Sequence, residues 1–197
     1  MKTAAILTAV VIGAAATCVL ADSSCSSPAI TSGEYRNLAY GFSVSVPPGV
    51  KGFGEGPRCF ENPIFGCGCF PDHGRNVPLG EDAYITVFAY FADEGLPDRL
   101  LYDIETFQNG ARISPFDFSI EKMEPSRLAG LRAFHYVASR HEEGSIRYRE
   151  AVVAESGRKG HGLIAYTVAI EGPEETYRAK RSAFEAILRS WRVTQIP

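Results

Sequence analysis

The chain lacks the short patterns on which most familiar enzyme chemistry rests. There is no Gly-x-Ser-x-Gly, so no nucleophile elbow for acyl transfer. There is no His-Glu-x-x-His zinc motif and no Gly-Lys-Ser/Thr phosphate loop. No internal repeat and no second-domain linker occur. Basic charge is not in excess: 20 Lys and Arg stand against 23 Asp and Glu, a net charge of −3. A chain so balanced lacks the basic footprint that nucleic-acid binding needs. Beyond the N-terminus no apolar run is long enough to span a bilayer. No catalytic residue and no cofactor is therefore assigned from motifs.

What is present begins with an export signal. Lys2 gives the positive start, and Ala4 through Ala16 is a run of small and apolar residues too short for a membrane span. Val19-Leu20-Ala21 places small or medium residues where a signal peptidase reads, and the cut is placed after Ala21. Cys18 follows Thr17, and Cys25 follows two serines, so neither sits in a good lipoprotein context. Residues 1–21 are read as a signal peptide, 22–33 as a serine-rich flexible leader and 34–197 as one domain. The location implied is periplasmic or secreted. Loss of Lys2 and no acid takes the charge from −3 to −4.

Of the five cysteines, export removes Cys18 and leaves Cys25, Cys59, Cys67 and Cys69. In an oxidising compartment they suggest two disulfides. A bridge across the single residue between Cys67 and Cys69 would be strained, so Cys25 and Cys59 are expected to pair with that doublet, in either order. The alternative is a metal or redox site of Cys59, Cys67, Cys69 and His73, although Cys-x-Cys is not the usual zinc-knuckle spacing.

Along the chain, Phe42, Val44 and Val46 alternate as a half-buried strand that stops at Pro47-Pro48-Gly49. Residues 51–80 carry many glycines and prolines and read as a long irregular loop stapled by its cysteines. Ala83 to Phe91 is apolar or aromatic at nearly every position, as in a strand buried on both faces. Leu100, Leu101, Ile104 and Phe107 make a helical stripe closed by Gly110. Strands follow over 116–127, 132–140, 146–154 and 162–170, joined at Gly130, Glu142-Glu143-Gly144 and Gly157–Gly160 as an antiparallel meander. Pro173, Glu174 and Glu175 then start a helix with the stripe Tyr177, Phe184, Ile187, Leu188 and Trp191. The expected class is α+β, an antiparallel sheet of about six to seven strands flanked by helices, with a cysteine-bearing loop.

His135 lies on the strand face opposite Phe134 and Tyr136, and His141 and His161 fall beside turns, where solvation is the plain reading. Gly157-Arg158-Lys159-Gly160-His161-Gly162 is read as a hairpin turn rather than an anion cradle. Arg132, Arg140, Arg147 and Arg149 could make a basic patch. Alternation puts Arg147 and Arg149 on one face, which makes them interaction candidates. The competing reading is a charged sheet face balanced by Glu142, Glu143 and Glu150.

Tyr40-Gly41-Phe42-Ser43-Val44-Ser45-Val46-Pro47 with Gly49 resembles the opening segment of PsbP-like domains. Their relatives include the yeast Ran-binding Mog protein and many exported bacterial domains. Ala129-Gly130 leading into Ala133-Phe134-His135-Tyr136, and the closing Phe184-Glu185-Ala186-Ile187-Leu188-Arg189-Ser190-Trp191-Arg192, resemble the rest of that group. Val50 stands where a tryptophan is common, and the loop at 59–69 departs from the pattern. The resemblance implies a PsbP/Mog-like sandwich and a non-enzymatic binding or assembly role in the cell envelope, with a protein partner. The alternatives are an inhibitor or immunity-type protein against an exported toxin, the metal or redox protein of the 59–73 loop, and a purely structural envelope protein.

Overall fold

The computed structural model describes residues 29–54, 60–62, 66–68, 73–80, 82–93, 95–109, 117–142, 144–158 and 162–194. Residues 1–21, read from the sequence as a signal peptide, and residues 22–28 of the segment read as a leader lie outside this set. Ile30 lies inside it, exchanging backbone hydrogen bonds of 2.8 Å in both directions with Phe53.

Eleven strands and two helices are described. A small sheet contains β1 (Glu34–Asn37), β2 (Phe42–Ser45) and β11 (Arg192–Val193), in the order β1-β2-β11. The large sheet has the order β5-β6-β10-β9-β8-β7, antiparallel throughout. Its strands are β5 (Gly74–Gly80), β6 (Ala83–Ala92), β7 (Phe118–Leu128), β8 (Leu131–Glu142), β9 (Ser145–Arg158) and β10 (Gly162–Pro173). Helix α1 is Leu96–Asn109 and α2 is Glu174–Ser190. β3 (Phe60–Asn62) and β4 (Gly66–Gly68) pair as a hairpin.

The expected meander and both helices are present, and the α+β class holds. Three local readings change. The loop expected over 51–80 contains strands: the β3–β4 hairpin and β5. Gly74, Pro78 and Gly80 hid β5, because an edge strand tolerates residues that a central strand does not. The Ala83–Phe91 strand is not buried on both faces. Ala83, Ile85, Val87 and Ala89 are buried, whereas Tyr84, Thr86, Phe88 and Tyr90 are half-buried, and Phe91 is 57% exposed. The apolar row that includes α1 lies over β8, β9 and β10 and does not include this part of β6. Leu101 is exposed, and Leu96 completes the buried stripe with Leu100, Ile104 and Phe107.

Each face of the large sheet buries its own core. On one side Ile85, Val87, Ile164, Tyr166 and Val168 pack with Phe184, Ile187 and Trp191 at the end of α2, and with Tyr35, Phe42 and Val44 of the small sheet. On the other side α1 packs on Tyr136, Ala138, Ala151, Val153 and Ala169. Each fully buried large side chain contributes roughly 2–3 kcal/mol by leaving water. Strand alternation sends Tyr136 and Arg149 to the α1 side and His135 and Glu150 to the α2 side, and this division decides which polar groups meet.

Candidate functional site

Among the described residues, three polar constellations and one cleft hold the side chains that chemistry or recognition would use. The first lies between α1 and the sheet. Arg149 Nη2 reaches Asp103 Oδ1 at 2.8 Å and Arg149 Nη1 reaches Glu171 Oε2 at 3.0 Å. Arg149 Nε donates to the Tyr136 hydroxyl at 2.9 Å, which in turn donates to Asp103 Oδ2 at 2.5 Å. Arg147 Nε donates to Glu171 Oε1 at 3.0 Å and Arg147 also donates to the Asp82 carbonyl. Arg140 binds Glu142 at 2.6 Å, the Phe107 carbonyl, and more loosely Glu171 at 3.8 Å. Three guanidinium groups thus face three carboxylates. Burial works against the charge on Arg149, but Asp103, Tyr136 and Glu171 outweigh it and hold the proton more firmly than usual. Burial likewise pushes the Tyr136 hydroxyl well up, so it stays protonated as a donor.

The sequence singled out Arg147 and Arg149 as interaction candidates. They do share a face, but their side chains are only 12% exposed and are bound to acids of this same chain. The arrangement can lock α1 to the sheet. Asp103 and Glu171, which make it possible, had no distinguishing signal in the sequence because they lie 46 and 22 residues from Arg149.

The second constellation is on the α2 side. Glu150 is 1% exposed. It accepts from Tyr177 at 2.7 Å, Arg181 Nε at 2.7 Å and His135 Nε2 at 2.8 Å. Burial pushes this carboxyl up, and the hydrogen bonds from His135, Arg181 and Tyr177 more than reverse that, bringing it down to about 2. His135 Nδ1 lies 3.4 Å from Glu124. The strand histidine is therefore a satisfied structural residue, with one carboxylate on each ring nitrogen.

The third is at the start of β5. Nδ1 of His73 is 2.8 Å from the Tyr40 hydroxyl and 3.0 Å from the Ala89 carbonyl, and the ring stacks between Tyr40 and Phe88. Cys25, Cys59 and Cys69, and the side chain of Cys67, lie outside the described residues, as do Lys159, Gly160 and His161 of the turn weighed for anions.

The cleft lies where α1 begins. Pro97, Pro125, Ser126, Arg127, Arg132, Ala133 and Phe134 line about 460 Å³ open to one side. Register explains its composition. Pro125 is opposite Phe134 and Arg127 opposite Arg132, so all four sit on the α1 face of the β7–β8 hairpin, continuing the row from Met123 and Tyr136. Pro97 and Leu101 project from the flank of α1 away from Arg99 and Asp103. Glu155 Oε2 accepts the Leu96 N–H at 2.8 Å, satisfying an amide of the first turn. The other oxygen of Glu155 takes Arg132.

Two antiparallel sheets and two helices with this connectivity make an α+β domain of the PsbP/Mog-like fold. The cyanobacterial PsbP of Synechocystis sp. PCC 6803 matches with a TM-score of 0.53 at 13% identity, over 83% of this chain and 94% of that one. LpqN of Mycobacterium tuberculosis, described as involved in cell envelope biogenesis, matches with a TM-score of 0.51 at 12% identity, over 84% and 87%. A single-residue variant of Mog1 matches with a TM-score of 0.50 at 11% identity, over 84% and 97%. No family model matches the sequence. No curated protein matches it either. Among the described residues no helix is long and apolar enough to cross a membrane.

Proposed function

We propose that this chain is an exported, non-catalytic binding or assembly module of the cell envelope. The observation that carries the reading is how the reactive side chains are used. Arg140, Arg147, Arg149, Asp103, Glu150, Glu171, His73 and His135 are engaged with other groups of this chain, while a largely apolar cleft at the start of α1 stands open. A fold shared with LpqN, a protein involved in cell envelope biogenesis, supports the same direction, as does the signal-peptide pattern of residues 1–21. In this reading Cys25, Cys59, Cys67 and Cys69 are paired as disulfides that stabilise the domain.

The test is to express the full chain with a C-terminal tag, fractionate the cells and weigh the intact protein. The expected species starts at Asp22, is found outside the cytoplasm, and has the mass of two disulfides. A cytoplasmic species retaining Met1, with five reactive thiols, overturns the reading.

A further inference from the structure

We propose that the cleft between α1 and the β7–β8 hairpin holds a short segment of a partner protein in which apolar side chains stand beside one or two carboxylates. The inference rests on the binding-module reading and gives it a surface.

The apolar part of the surface is larger than the cavity. Leu101 is 55% exposed, Met123 52% and Ile120 42%, three of the seven large hydrophobic side chains left open among the described residues. Ile120 is opposite Ala138 and Met123 opposite Tyr136, so both face the α1 side, in line with Pro125 and Phe134. Pro97 lines the opposite side, and Leu101 follows it one turn later on the same flank of α1. From Ile120 to Arg127 the trough runs roughly 20 Å at about 3.3 Å per strand residue, the reach of six or seven extended residues. Grouped apolar exposure of this kind marks interaction sites.

The charge is at one end. Arg127 donates to the Gly130 carbonyl and has no carboxylate partner among the described residues. Arg132, 68% exposed, shares Glu155 with the Leu96 amide. Two guanidinium groups against one carboxylate leave a local positive excess on a chain whose net charge is −3. Arginine forks bind carboxylates bidentately, so an acid at that end of the trough is the complementary charge.

The outer edge of β7 is built against a strand-adding partner and against pairing with a second copy. The register slips at Glu121, Lys122 is half-exposed and Pro125 lacks a donor. A bulge, a lysine and a proline are the features that blunt sheet edges. The partner segment therefore lies on the face, held by side chains.

The experiment places a photo-cross-linking amino acid at Leu101, and separately at Phe91, in the full exported chain, and sequences the attached peptide. The expected Leu101 adduct is a segment of another protein with apolar residues next to Asp or Glu. A synthetic peptide of that segment should bind the mature protein at least tenfold more weakly when its acids are changed to lysine, and tenfold more weakly to Arg127→Glu. An adduct from Phe91 alone overturns the cleft and leaves the binding module standing. A Leu101 adduct with another copy of this chain, or with a segment lacking acids, also overturns the cleft. Adducts from neither position overturn both readings.

Discussion

The indole of Trp191 lies flat on the ring of Phe42, centroids 4.4 Å apart and planes 7° from parallel. This contact joins the last turn of α2 to the small sheet. Tyr166 meets the indole edge-on at 5.6 Å, tying both to the large sheet. Trp191 is fully buried and is the only tryptophan of the chain. Trp191→Ala should cost about 3–5 kcal/mol in urea unfolding. Trp191→Phe should cost much less. It keeps the stacking and removes an indole N–H that has no hydrogen-bond partner among the described residues. Equal losses for the two variants would show that the stack contributes nothing.

The Glu150 site gives a pH dependence with a defined sign. Its folded pKa of about 2 is below the ordinary value of 4.5. The stabilisation is therefore complete above about 4.5 and is lost as pH falls towards 2. The difference corresponds to something on the order of 3 kcal/mol. Wild-type unfolding free energy should fall more steeply than that of Glu150→Gln between pH 5 and pH 2, measured by denaturant titration. Parallel curves would sink the assignment.

Arg149→Met should destabilise by about 3–5 kcal/mol, because Asp103 would be left largely buried without its cation, while Glu171 would keep only Arg147 and Arg140. Arg149→Met combined with Asp103→Leu should recover part of that loss. A double-mutant cycle in urea measures the coupling, and additive losses would mean that the pair is not coupled.

The β7–β8 hairpin turns through Ala129 and Gly130, both at positive φ (49° and 87°). This is the two-residue geometry that favours Asn-Gly, and alanine pays a steric penalty in it. Ala129→Asn should raise stability by roughly 0.5–1 kcal/mol, read as a shift in the urea midpoint at unchanged slope. A lower midpoint would mean the turn is held in another conformation in solution.

Much of the fold was legible because it is written in local period and punctuation. Alternation through Phe134, Tyr136 and Ala138, Gly130 and Gly144 at the turns, and the stripe from Tyr177 to Trp191 placed β8, its neighbours and α2. β5 escaped because Gly74 and Pro78 suppress the strand pattern, while its backbone pairs with β6 regardless. Leu101 was assigned to the buried stripe of α1. Leu100 and Leu101 are about 100° apart around a helix, and only docking decides which one faces the sheet. The arginine face was visible as alternation. Its neutralisation by Asp103 and Glu171 was not, since Glu171 comes opposite Arg149 only when β10 pairs with β9 in this register, and Asp103 reaches it only when α1 lies across the sheet.

The sequence alone determined the classes of chemistry without a motif, the α+β class, the hairpin positions and the division of side chains between the two faces of each strand. These follow from steric and hydropathic rules that act over a few residues. Tertiary structure decided which charges meet, which aromatic rings stack and where apolar side chains remain open. Arg149 on β9 and Arg127 on β7 are the same residue type on two strands of one meander, with β8 between them. One is enclosed by three partners and the other stands at the rim of a cleft, because packing of α1 against the sheet sets distances between residues far apart in the chain.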